Sequence, residues 1–132
     1  MLRWSDWLGQ SEREFAAADC LLAGGHYAWC CFTCQQAAEK SLKALLERHA
    51  ADHGGHNLRE LLGSVETRYQ PPGQVRAACR RLTRHYIPTR YPDAHPSGIP
   101  AMQYDQEDAQ EALEDARAVL DFARAQLRPP AP

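Results

Sequence analysis

The chain has 132 residues, 15 basic and 17 acidic side chains and a formal net charge of −2, which suits one domain burying roughly two thirds of its unfolded surface and leaves no room for a second. An apolar share of 44% and a charged share of 24% are those of an ordinary globular protein, and no apolar run approaches the roughly 18 residues that cross a bilayer. The overall charge excludes a uniformly basic nucleic-acid binder.

Residues 5–23 place Trp7, Leu8, Ser11, Phe15, Ala18, Leu21 and Leu22 at three- and four-residue steps, which predicts an amphipathic helix ended by Gly24 and Gly25. Residues 27–48 repeat the pattern with an apolar set, Cys31, Cys34, Ala38, Leu42, Leu45 and Leu46, and a second row containing Trp29, Phe32, Gln36, Lys40 and Lys43. This is the expected central helix, with Glu39 and Lys43 one turn apart as an exposed pair. After a loop of Gly and His, Asn57 is placed to cap a short helix with Leu58, Leu61, Leu62 and Val65 inward. Pro71 and Pro72 break the chain, and a fourth helix is expected over residues 74–85, stopped by Pro88. Residues 87–102 hold four prolines, too many for an idle connector. The last helix, residues 105–127, starts with acids at its positive end, and residues 128–132 are expected to fray. No stretch alternates like a strand, so the expected fold is all-α: an antiparallel up-and-down bundle of four long helices and one short one, forming a single domain over residues 1–132 with its core in 5–127.

Five cysteines, Cys20, Cys30, Cys31, Cys34 and Cys79, follow an N-terminus without the features of a secretory signal. A cytoplasmic protein with reduced thiols is expected. Cys31 and Cys34 form a C-x-x-C pair, but no second pair completes a zinc ribbon, and small thiols at a helix interface are the simpler account. His49, His53 and His56 are loosely spaced like metal ligands, in a glycine loop that would preorganise them poorly. Neither metal nor cofactor is implied. His56 reads as a structural residue ahead of the short helix, since its sequence neighbours supply no catalytic partner.

The charge is unevenly placed. Between Glu66 and Asp93 there is no acid, while Arg68, Arg76, Arg80, Arg81, Arg84 and Arg90 fall in the gap. Either a phosphate-bearing partner or the acidic segment 105–121, with its seven carboxylates, can answer these arginines. Gln36 with Lys40 offers an amide and a cation one turn apart, for a base and a phosphate or for an interhelix contact. In the proline-rich loop Arg90 could grip phosphate and Tyr91 stack on a base, or Arg90 and Asp93 could pin the loop to the bundle.

Three stretches, QQAAEKSLKALL at 35–46, HNL at 56–58 and YIPTRYPDA at 86–94, together resemble the HEPN family in order and spacing. The similarity runs from Trp7 to Leu127 and points to small stand-alone prokaryotic HEPN proteins with an R-Y-P-D loop, often encoded beside a minimal nucleotidyltransferase. The resemblance implies a homodimeric helical bundle that binds nucleotides or cleaves RNA. In cleaving members an arginine precedes a histidine by four to six intervening residues, a pattern that Arg80 and His85 match with four between. Arg81 stands directly after Arg80, where nucleases of the family commonly carry a small polar residue. The implied activity is a metal-independent, toxin-like RNase acting as a dimer, paired with a minimal nucleotidyltransferase. Catalysis falls to Arg80 and His85, and binding to Gln36, Lys40, Arg84, Arg90, Tyr91 and Asp93. The alternative is a non-catalytic nucleotide-binding or substrate-recruiting subunit of that nucleotidyltransferase.

Overall fold

A computed structural model describes residues 2–128, so the expected tail is met only at Arg128 and residues 129–132 lie outside it. Five helices carry the fold: α1 (Trp4–Ala23), α2 (Tyr27–Glu47), α3 (Leu58–Val65), α4 (Gly73–Leu82) and α5 (Gln106–Leu127), with no strand among the described residues. The fourth helix ends three residues earlier than the pattern suggests, because its last turn tightens into a 3-10 turn, Thr83–His85. Two further 3-10 turns, Pro92–Ala94 and Pro100–Met102, stiffen the connector to α5.

Local chemistry sets the ends. Gly25 takes φ +78° in the turn between α1 and α2, a conformation that costs other residues energy. The Asn57 side chain accepts from the backbone N–H of Arg59 and Glu60 and starts α3. Asp105 and Asp108 form a reciprocal capping box at the start of α5.

The side chains that meet give the packing direction. Arg3 meets Glu47, Trp4 meets Arg48, Trp7 meets Lys43, Ser11 meets Ser41 and Glu14 meets Lys40, so α1 and α2 run antiparallel. Their close approach uses small residues: the Ser11 hydroxyl donates to the Ala37 carbonyl at 2.7 Å and lies 2.6 Å from that of Ser41. Arg124 bonds Glu12 at 2.9 Å and Arg117 covers the Phe15 ring, which sets α5 antiparallel to α1. α2 lies at the centre and is buried nearly all round, touching every other helix.

Cys30, Cys31, Cys34 and Cys79 are buried in this core, and all five cysteines are free thiols. Burial pushes Cys31 and Cys79 up to about 12, so they stay protonated and pack as small hydrophobes. Glu39 and Lys43 are not the exposed pair expected. Both are almost fully buried and bond at 3.2 Å, because Trp7 and the loop after α2 close over this face.

Candidate functional site

The arginine-rich segment divides. Arg81 makes a two-pronged bond to Asp115 of α5, Nε to Oδ2 at 2.9 Å and Nη2 to Oδ1 at 2.7 Å, and Arg76 pairs with Glu66. Arg80 and Arg84 are exposed and have no ion-pair partner among the described residues. The acidic-helix reading holds for Arg81, while Arg80 and Arg84 keep their charge for solvent. The unexpected Arg81 after Arg80 is explained by Asp115, a buried carboxylate that would otherwise be unpaired.

His85 sits at the end of the 3-10 turn with its ring edge-on to Tyr104, centroids 5.7 Å apart. Its Nδ1 is buried without a hydrogen-bond partner. Burial holds its pKa below the usual 6.5, helped by the nearby charge of Arg84 and opposed by Asp108 and Asp115 of α5. Burial therefore favours the neutral form of this imidazole.

The loop residues behave differently from one another. The Arg90 guanidinium bonds the Tyr86 carbonyl, Nε to O at 2.8 Å, and stacks among three rings: Phe32 of α2 at 4.2 Å, Tyr86 at 4.6 Å and Tyr91 at 5.0 Å. It pins the loop to the bundle by this stack. Asp93 takes no part in that pinning; it is exposed, without an ion pair among the described residues, and Tyr91 is half exposed. His95 adds a second pin through the Pro88 carbonyl at 2.6 Å.

Gln36 and Lys40 do meet, at 3.1 Å, but the Lys40 charge is taken up by Glu14 at 2.8 Å. Their contact is the interhelix one, beside a shallow cavity of about 300 Å³ walled by Arg3 and Trp7. They lie away from a larger groove of about 460 Å³ between the start of α3 and the turn after α4. His56, Arg84, Tyr86 and Pro88 line that groove, whereas Arg80, His85, Gln36, Lys40 and Arg90 do not.

His56, read from the sequence as a structural residue whose sequence neighbours supply no catalytic partner, finds its contacts on α2 and on the turn after α4. Its Nδ1 lies 2.9 Å from Glu39 Oε1, and its ring stacks on Tyr86 with centroids 4.4 Å apart and planes within 16°. Its carbonyl accepts from Gln35 at 3.1 Å. The signal was present: Gln35, Glu39 and Lys43 repeat every four residues down one face of a helix otherwise apolar on its buried side, which marks polar groups needing partners. His49 and His53 turn to other partners, Tyr69 and Glu47, each at 2.8 Å.

The sequence model for the HEPN domain matches residues 4–126. The structure is similar to that of TT1696 from Thermus thermophilus, at 40% identity and a TM-score of 0.92, covering 96% of this chain and 100% of that one. It is also similar to ST0689, an archaeal HEPN homologue, at 34% identity and a TM-score of 0.82, covering 97% and 100%. Among curated proteins, "Putative toxin MJ1304" of Methanocaldococcus jannaschii is 26% identical over 128 residues, 90% of this chain and 84% of its own.

Proposed function

The chain belongs to the HEPN domain family, and from that premise we propose that it is a toxin-type, metal-independent endoribonuclease acting as a homodimer in the cytoplasm. The observation that carries the reading is His85: an imidazole whose neutral form burial favours, its buried Nδ1 without a hydrogen-bond partner, five residues beyond Arg80, an exposed arginine with no ion-pair partner among the described residues. His85 takes the proton of a ribose 2′-hydroxyl as that oxygen attacks the adjacent phosphorus, and Arg80 stabilises the charge that gathers on the phosphorane. Such a route needs acid, base and positive charge, and no metal. Arg84, Tyr91 and Asp93, exposed on the turn after α4 and on the connector, would seat the RNA, and Arg90 would hold that loop in place for it. A relative named as a toxin agrees with this class of function, and a minimal nucleotidyltransferase is the partner expected to restrain it.

A second reading has its own support. The groove of about 460 Å³ beside Arg84 and Tyr86 is roomy enough for a nucleotide, which favours a non-catalytic, nucleotide-binding or substrate-recruiting subunit of a nucleotidyltransferase. Metal-free incubation of total RNA with wild type, His85→Ala and Arg80→Ala, with ATP binding measured in parallel, separates them. Cleavage by wild type, reduced at least 100-fold in both variants, is the result expected. Intact RNA with saturable ATP binding would move the assignment to the second reading.

A further inference from the structure

We propose that the row of rings running from Trp29 to His56 is a seat for the unpaired bases of single-stranded RNA, with Trp29 and His56 as its open ends and Arg84 beside His56 for phosphate. The proposal takes RNA as the ligand from the ribonuclease reading above and adds the residues that hold its bases.

The row is built from side chains that brace one another. Trp29 and Phe32, one turn apart on α2, meet edge to face with centroids 6.1 Å apart. The Arg90 guanidinium lies over Phe32 at 4.2 Å and over Tyr86 at 4.6 Å, and so joins α2 to the turn after α4. Tyr86 then lies nearly flat on His56, with centroids 4.4 Å apart. The middle of the row is taken up by these internal contacts, whereas its ends are open: Trp29 is 52% exposed and the His56 side chain 50%. An indole left half in water, on a helix otherwise buried nearly all round, forgoes burial that would have stabilised the fold. A ring braced from behind also keeps its orientation, so a base that stacks on it has little left to order.

Charge decides which partner the row fits. Arg90 donates to the Tyr86 carbonyl and pairs with no carboxylate among the described residues, so its positive charge is uncompensated inside the row. Arg84 is exposed and equally unpaired on the groove that His56 and Tyr86 line. The acid that touches the row, Glu39, is buried and its charge is met by Lys43 at 3.2 Å, while Asp93, exposed three residues beyond Arg90, offsets one of the two arginines at most. An apolar protein surface laid over the row would take water from these guanidinium groups without neutralising them. A nucleic-acid strand supplies both needs, bases for the rings and phosphates for the arginines. In a duplex the base faces are already stacked on one another, so the unpaired strand is the form that fits.

The test uses 2′-O-methyl RNA, whose blocked 2′-oxygen cannot attack phosphorus, so binding is read without cleavage. Labelled probes of about 12 nucleotides are titrated with the full chain by fluorescence anisotropy: a single strand, the same strand annealed to its complement, and a strand of abasic spacers that keeps the phosphates and lacks the bases. The wild type should bind the single strand most tightly. Trp29→Ala and His56→Ala should each weaken that binding by about 5- to 150-fold and leave the abasic strand within about 2-fold of wild type. Trp29→Phe, which keeps a ring, should retain most of the affinity, and Arg84→Ala should weaken the single strand and the abasic strand alike. Unchanged single-strand affinity in Trp29→Ala, an equal loss on the abasic strand in that variant, or a duplex bound as tightly as the single strand overturns the proposal. So does a Trp29→Ala variant whose mass by light scattering changes and whose affinity does not, since the ring then belongs to a contact between copies. Cleavage of total RNA by the wild type keeps the two readings apart: cleavage with unaffected binding by Trp29→Ala removes the stacking row alone, base-dependent binding without cleavage removes the nuclease alone, and a wild type that neither binds nor cleaves removes both.

Discussion

At the scale of single residues, two side chains show how burial and charge decide behaviour. His85 is desolvated and held below its ordinary pKa, so the unfolded chain takes up this proton at a pH where the folded chain refuses it. As the pH falls below 6.5 toward the lowered folded value, the unfolded state binds the extra proton and stability drops; above 6.5 His85 contributes no slope. Urea midpoints at pH 7.5 and 5.5 should therefore separate in wild type by more than in His85→Gln, and the His85 ring should titrate below 6.5 by NMR. A ring that titrates at 6.5 or higher would sink the argument. Arg81 shows the opposite economy: its guanidinium is 40% exposed while its partner Asp115 is 8% exposed. Arg81→Ala leaves the carboxylate without its charge-assisted bonds, at a cost of about 1–3 kcal/mol, whereas Arg80→Ala, with no partner to strand, should leave the midpoint within about 0.5 kcal/mol of wild type. The two neighbours are indistinguishable in sequence, because what separates them is Asp115, 34 residues away.

At the scale of elements, helix ends give sharper expectations than helix middles. After α2 the backbone N–H of Ala51 returns to the Leu46 carbonyl at 3.0 Å, and Ala50 between them takes φ +53°. This is the position where helices prefer glycine, since a Cβ in the left-handed region is strained. Ala50→Gly should raise stability by about 0.5–1 kcal/mol, part of the relief being lost to the greater freedom of glycine in the unfolded chain. Asn57→Ala should lower it by about 1 kcal/mol, since the N–H groups of Arg59 and Glu60 lose their acceptor. Matching chemical-denaturation curves would check both, and a destabilised Ala50→Gly would show that the loop, not the residue, sets that angle. The five helices were legible because their apolar periods are long and clean, and Asn57 announced its cap. The ending of α4 was not, since a 3-10 turn carries the same residues inward as a last α-turn would. Nor were the contacts of Glu39, which a period of four makes look like a surface pair until Trp7 and His56 close over it.

At the scale of the whole molecule, the turn after α4 and the connector that follows expose both charge and apolar surface. Internal pairing consumes Arg76, Arg81, Arg124 and Arg128, while Arg80 and Arg84 are among the arginines left to solvent. On the connector that follows, Ile87, Tyr91, Ile99 and Met102 are 46%, 46%, 55% and 76% exposed, in a segment held rigid by Arg90 and two 3-10 turns. A stiff segment loses little entropy when it docks, so the exposed side chains convert to binding energy more fully than a floppy loop would allow. They are the surface on which two copies should meet, and cleavage that needs both protomers should follow the same surface. Light scattering on the wild type is expected to give twice 14.8 kDa, and the double variant Ile99→Asp with Met102→Asp should run as the monomer, because carboxylates in a closed apolar contact cannot keep their water. If cleavage depends on the pair, its loss in the double variant should be recovered at protein concentrations that restore the dimer. A wild type that stays monomeric at high concentration would remove the dimer from the mechanism and leave the proton transfers to the groups of a single chain.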